Sequence, residues 1–458
     1  MDTQLLISDP PVAYTARRAG FLALLAASLL VTACSHDRDQ PRPAAPTANA
    51  YPAEVATKWA GMELQLIRKG VNFPGPIASR ALGYASVALY EAVVPGLADH
   101  QSLTGQLSEL RTLSTPTGDP AQMNWAVSAN AAEALVLKNL FGNASAAQVA
   151  SIDSLEQAPN APYSAQPGFV SSQAFGRAIA QAVFEWSKTD GGHEAYLRVQ
   201  PKDYTPPVGP GLWVQTRPGD AGRAQLPTWG SNRSLVPVNG TLPLPAPGYV
   251  FSLDPASPYM GQVREVFATG NTLTPDQRTI ALYWSDGAQT ILPAGHSLNI
   301  ATILIQDHKM QLGAAAEAYA RLGLAVADAY RYCWKTKYAF NWERPVTCIQ
   351  RAMDPAWKPL LANPDFPDYL SGHATQSGAV AQALSDLFGP ATSFTDNSHQ
   401  ARGAGFEPRT FPTIMAFAEE SAVSRIYGGI HYRSAVEVGL TQGRLVGRNV
   451  SLLTFRKP

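Results

Sequence analysis

The sequence predicts an all-α fold, a bundle of packed helices joined by long Pro/Gly-rich loops. Three observations carry that prediction. Apolar residues recur at i, i+3 and i+4 along most of the chain, the period of a helix with one buried face. Alternating strand patterns are scarce, and Tyr249–Leu253 is the best of them. Apolar residues reach 45% against 15% charged, which suits a large core and argues against bulk disorder.

The elements follow in chain order. Arg17-Arg18 precede the apolar run Gly20–Val31, which then meets Thr32-Ala33-Cys34. A run this short, with basic residues before it and small ones after it, reads as a secretory signal over 1–33 and not as a span. Val31-Thr32-Ala33-Cys34 also resembles a bacterial lipobox, in which the Cys is lipidated and becomes the first residue. Ser35 after it fits sorting to an outer membrane. Residues 34–52, polar and rich in Pro and Ala, form a tether. The expectation is an exported protein, periplasmic or held at the outer membrane, whose only membrane contact is its lipid anchor.

Residues 53–458 then read as one helical domain. Helical periodicity covers 53–71 and 76–94, with Pro76 near the start of the second, where helices tolerate it. It recurs over 120–141, 145–156, 170–188, 274–286, 312–334, 372–388, 411–427 and 431–448. Thr274-Pro275-Asp276 supplies an N-cap, a first-turn proline and an acid at the positive end of the helix dipole. Between 195 and 260 the texture turns to Pro, Gly and Trp. A flexible linker would not carry Trp213, Trp229, Tyr204 and Tyr249, so this stretch predicts an ordered excursion packed on the helices.

Charge and cysteine content narrow the function. Lys+Arg and Asp+Glu are equal at 35 each, which argues against a nucleic-acid binder relying on a strongly basic surface. A local anion site stays compatible. Three cysteines make neither a disulfide framework nor a zinc ribbon. Cys333 and Cys348 either pair in an exported protein or stay as buried thiols, and both options are open.

The chemistry gathers in the last third. Lys337 precedes Arg344-Pro345, Ser371-Gly372-His373 opens a helix, and Ser424-Arg425 leads through Gly428-Gly429 to His431. Lys337, Arg344 and Arg425 are three cations in a chain with few charges to spare. Ser371 offers a hydroxyl and Gly372 a bare backbone N–H at a helix N-terminus, a natural site for a tetrahedral oxyanion. Arginine forks add bidentate bonds and lysine a point charge. One histidine can attack or coordinate the central atom while the other moves a proton. Singly, each motif is well explained as a capped helix or a helix end; together they make a constellation.

Lys-x6-Arg-Pro, Ser-Gly-His and Ser-Arg-x5-His resemble the signature shared by vanadium-dependent haloperoxidases and type-2 phosphatidic-acid-phosphatase-like acid phosphatases. The resemblance covers roughly 270–450 and favours the haloperoxidase side. Phe366-Pro367-Asp368-Tyr369 and Asn341 with Arg344-Pro345-Val346-Thr347 look like that family, as does Trp284-Ser285-Asp286-Gly287 followed by Pro293-Ala294-Gly295-His296. Upstream, Ser79-Arg80-Ala81-Leu82 and Leu89-Tyr90-Glu91-Ala92 resemble its first helices. The resemblance implies a helical-bundle fold and a vanadate cofactor. His431 would be the metal ligand; Lys337, Arg344, Ser371, Gly372 and Arg425 would hold the oxyanion. His373 would be the acid–base residue. Trp334 and Phe366 would line the halide side, and Asp286 would partner an arginine. The implied partners are hydrogen peroxide, a halide and a small organic acceptor, with self-association left open.

Two positions depart from the family pattern. Leu370 stands where Pro usually precedes Ser-Gly-His. Ala435 stands where an acid, four residues after the metal-binding His, would orient its ring. Glu437 lies about 200° round the helix from Ala435 and is a poor substitute, so Ser434 or a backbone carbonyl is the local replacement. His431 is then expected to be loosely held, vanadate to bind weakly and Ala435→Asp to strengthen it. Two rivals remain: a phosphatase with a phosphohistidine on His431, and a lipid-anchored oxyanion-binding protein without turnover. His193, His296, His308 and His399 read as structural or surface residues.

Overall fold

The computed structural model describes residues 45–458 apart from 118, 218, 220, 221 and 288, so the leader, Cys34 and most of the tether lie outside the described residues. The end of the tether is packed. Pro46 O accepts from the Trp125 indole at 2.7 Å, Tyr51 O accepts from Leu312 N at 2.9 Å, and Ala48 is buried.

Fourteen α-helices carry the described chain. The first five are α1 (Glu54–Lys69), α2 (Gly75–Val93), α3 (Trp125–Leu140), α4 (Ala146–Asn160) and α5 (Phe169–Lys188). After the Pro/Gly-rich excursion and a short α6 (Pro237–Gly240) come α7 (Pro258–Asn271), α8 (Pro275–Tyr283) and α9 (Leu292–Asp307). The final group is α10 (Leu312–Phe340), α11 (Pro345–Ala352), α12 (Gly372–Phe388), α13 (Ile414–Tyr427) and α14 (Arg433–Ser451). The prediction of an all-α bundle holds. Tyr249–Leu253, the best of the scarce strand patterns, is loop: the Tyr249 hydroxyl meets Ser434 Oγ, and Phe251 packs on Tyr259. Among the described residues one small sheet pairs Phe394–Asp396 antiparallel with Arg409–Phe411, so the helix predicted from 411 starts at Ile414.

Besides the short α6, the sequence missed three longer helices, α7, α9 and α11. The middle of the three shows why: α9 is buried almost all round, and a helix without a polar face has no periodicity to read. At the other end, α10 runs past the predicted 334 to Phe340, which puts Lys337 in its last turn. Two central pairs organise the bundle, α2 against α10 and α12 against α14. The second pair is close because of glycine: a Cβ on Gly443 would sit 2.0 Å from Thr375 O, and one on Gly447 2.2 Å from Ala379 O. That approach carries the start of α12 to the start of α14, where Ala435 O accepts from Ser371 N at 2.9 Å.

The excursion is anchored as expected, with Trp213 and Trp229 buried. The buried Asp328 carboxylate on α10 accepts from Leu235 N, Val236 N and Asn239 Nδ2 at 2.7, 2.9 and 3.0 Å. The open cysteine question is also answered: Cys333 and Cys348 are buried and unpaired.

Candidate active site

The last turn of α10, the start of α12 and the α13–α14 corner converge on the floor of a cavity of about 1140 Å³. Gly372, His373, Arg425 and His431 line that floor with Trp334 and Phe366. Lys337, Arg344 and Ser371 lie directly behind, wholly buried. All seven residues expected from sequence are therefore brought together from elements far apart in the chain.

Each polar group is held by backbone. Ser371 caps α12, its Oγ 3.4 Å from Ala374 N, and the peptide before Leu370 is cis. Lys337 Nζ donates to Pro367 O and Asp368 O at 2.8 and 2.9 Å. Arg344 donates to Phe366 O at 2.8 Å and Ile430 O at 2.7 Å, and its Nη1 lies 3.4 Å from His431 Nε2. Arg425 donates from Nε to Ser424 Oγ at 2.9 Å and from Nη2 to Trp284 O at 2.6 Å. Phe366 shields two of the cations: Lys337 Nζ lies 5.0 Å and the Arg344 guanidinium 4.9 Å from its ring centre. Trp334 packs on Phe366 at 4.8 Å, so the expected apolar wall is present.

Burial sets the electrostatics. It presses Lys337 down to about 7, with the nearby Arg344 adding to the effect. It also lowers Arg344 and Arg425 to about 10 each. Both histidines are pushed well below their ordinary value, His431 by burial and then Arg344, His373 by burial and then Arg425. Both rings are thus neutral imidazoles. The His373 ring bonds the Trp284 carbonyl, while its Nε2 is buried without a partner. Since a carbonyl accepts only from an N–H, the hydrogen is on Nδ1 and Nε2 keeps a free lone pair.

A carboxylate does stand beside the His431 ring. Asp368 Oδ1 lies 2.8 Å from His431 Nδ1, with the ring N–H tilted off the line between them. The backbone N–H of Tyr432 reaches the same carboxylate, and burial raises Asp368 to about 7 against the pull of Arg344 and Lys337. This corrects the expectation drawn from Ala435: the carboxylate comes from the loop before α12 and not from the next turn of α14. Ser434 is no substitute either, since its hydroxyl is spent on Tyr249. Asp368 was visible in the sequence only as part of a motif, because nothing local links it to a histidine 63 positions later.

Asp286 is likewise placed differently from expectation. Among the described residues its carboxylate accepts from no arginine: His296 Nδ1 and His399 Nε2 take its two oxygens, each at 2.9 Å. Two histidines read as structural or surface are therefore buried beside the site.

A family model described as the VCPO second helical-bundle domain matches residues 317–456. Over 254 residues the chain is 25% identical to the vanadium chloroperoxidase of Curvularia inaequalis, covering 41% of this chain and 42% of that enzyme. Among solved structures, a bacterial vanadium-dependent iodoperoxidase is 30% identical, with 89% of this chain and 97% of that chain covered at a TM-score of 0.80. The chain belongs to the vanadium-dependent haloperoxidase family. A bacterial vanadium-dependent chloroperoxidase, 17% identical at a TM-score of 0.64 over 85% of this chain and 93% of that one, shares the fold. Within the haloperoxidase family pattern, Lys337, Arg344, Ser371, Gly372, His373, Arg425 and His431 all stand at motif positions; Leu370 and Ala435 depart from it, and Asp368 stands beside the His431 ring.

Proposed function

We propose that this family member binds vanadate on the cavity floor and uses hydrogen peroxide to oxidise a halide, iodide foremost, which then halogenates a small organic acceptor. One observation carries the reading. Lys337, Arg344 and Arg425 are buried together, and among the described residues Asp368 is the carboxylate set among the first two. Buried cations in excess over acids are costly without a counter-ion, and the donors they present suit a tetrahedral oxyanion. The donor set therefore fits vanadate. His431 offers Nε2 as the metal ligand because Asp368 stands against Nδ1. Lys337, Arg344, Arg425, the Ser371 hydroxyl and the Gly372 N–H would hold the oxygens.

The bound group supplies a Lewis-acidic centre that activates peroxide for oxygen transfer. The chain's own residues do the rest. His373 Nε2 takes a proton from hydrogen peroxide as it enters and returns it as the O–O bond breaks. Halide and peroxide then give hypohalite and water. The Trp334–Phe366 wall keeps bulk water from that face. A large, weakly hydrated anion gives up least on meeting such a wall, which favours iodide. The 30% identity with an iodoperoxidase supports the same choice.

Triiodide formation from iodide and peroxide, with and without added vanadate, tests this beside p-nitrophenyl phosphate hydrolysis. Vanadate-dependent triiodide formation is expected. Phosphate ester hydrolysis without it would move the assignment to the phosphatase branch. Export and a lipid on Cys34 belong to the same proposal, and the mass of the mature N-terminal peptide checks them.

A further inference from the structure

Behind the Arg425 side of the cavity lies a second set of buried charges that the proposed reaction does not use. His296, on α9, is 1% exposed and stands between two carboxylates: Nδ1 is 2.9 Å from Asp286 Oδ2, and Nε2 is 2.7 Å from Asp396 Oδ2. Both ring nitrogens face acceptors, so the ring is an imidazolium donating twice. Burial opposes that charge, but the two carboxylates outweigh it and raise His296 to about 10. The Trp284 ring stacks on it at 4.6 Å and 19°. Asp396 is fixed in turn by the Tyr283 hydroxyl at 2.8 Å.

Asp286 needs holding. It lines the cavity, and both Arg425 and His373 feel its charge. A carboxylate free to turn there would take the Arg425 fork, the pairing a guanidinium favours most. Instead both oxygens are occupied, one by His296 and the other by His399 at 2.9 Å. Arg425 consequently rests on the Ser424 hydroxyl and the Trp284 carbonyl, and not on an acid.

We infer that His296, braced by Asp396, is a positioning residue that restrains Asp286 and so keeps Arg425 available to the oxyanion. This rests on the proposed function for the identity of the anion, but not for its existence. A divalent metal is the competing account, since Asp286, His296 and His399 present ligand atoms within 4.8 Å of one another. The direct bonds at 2.9 Å already satisfy those atoms, which favours the restraint.

The test is a binding cycle on the full-length protein, by calorimetry with orthovanadate and separately with inorganic phosphate. His296→Gln is expected to weaken both anions by about ten- to a hundred-fold, the range for outer partners of such sites. Asp286→Asn alone should change affinity by less than about threefold. Adding Asp286→Asn to His296→Gln should restore most of the loss, because the released residue no longer carries the charge that captures Arg425. Asp396→Asn, which leaves the ring in place, should show a smaller loss reversed in the same way, and it serves if His296→Gln does not fold. Losses that merely add in the double variants would overturn the inference in favour of a packing role. So would one equivalent of divalent metal in the purified wild type, lost in His399→Ala. A wild type that binds phosphate but not vanadate would sink the proposed function while leaving the cycle readable. A wild type that binds neither would overturn both.

Discussion

The Lys337–Arg344–His431 flank carries its carboxylate in among its cations, whereas the Arg425–His373 flank keeps its carboxylate tied to histidines. On the first flank Asp368 stands 2.8 Å from His431 Nδ1, and the two cations spend their N–H groups on backbone carbonyls of 366–368 and 430. On the second, Asp286 is engaged by His296 and His399, while Arg425 and His373 share the Trp284 carbonyl. The first arrangement makes a neutral imidazole with a carboxylate set against its Nδ1. The second makes a cation and a lone pair that face the cavity. In the proposed reaction the first flank would hold the anion and the second would move the proton.

That division breaks most visibly at the two histidines. His373→Ala should lower halide oxidation by about 10²–10⁴-fold, the usual worth of a positioned proton carrier, and change vanadate affinity by only a few-fold. His431→Ala should lose vanadate itself. Titration of each apo-variant with vanadate, beside triiodide rates at saturation, measures both; equal affinity losses would erase the distinction.

Asp368→Asn sharpens the comparison from the holding side. It keeps the shape but loses the charge beside His431, and vanadate affinity should fall by about 10–100-fold. Turnover at saturating vanadate should change much less.

The pH dependence separates the flanks further. Lys337 sits near 7, so its charge is present below that value and is lost above it. Oxyanion binding favours the protonated form, so above pH 7 each binding event takes up a proton. Affinity for a tetrahedral anion of constant charge, such as molybdate, should fall by up to about tenfold per pH unit there. Lys337→Arg should flatten that slope, and an unchanged slope would assign the proton elsewhere.

The smallest effect is expected at Ala435, where the sequence alone pointed to a gain. Ala435 is wholly buried, and Asp368 already stands against the ring nitrogen it was to serve. Ala435→Asp should bring no increase in vanadate affinity. It should cost about 1–3 kcal/mol of stability, because it buries a polar group without a ready partner. A vanadate titration and a thermal melt together decide it, and tighter binding would mean that Asp368 does not orient His431.

What the sequence determined by itself is local. Helical period marked most of the bundle, and three short motifs named the seven residues that the fold brings together at the cavity. Tertiary structure decided which acids serve it. Ala435 promised a loosely held histidine, yet a loop 63 positions earlier supplies Asp368. Asp286 promised a partner for an arginine, yet α9 and the segment after the β-strand Phe394–Asp396 bring His296 and His399 to claim it. The glycines of α14 carry Ser371 to the start of that helix by removing the Cβ atoms that would hold the backbones apart. The physical reason is common to all three. Periodicity and capping are set by neighbours in the chain, whereas the charge balance of a buried site is set by whichever groups packing brings within a few ångströms, and sequence separation does not limit that.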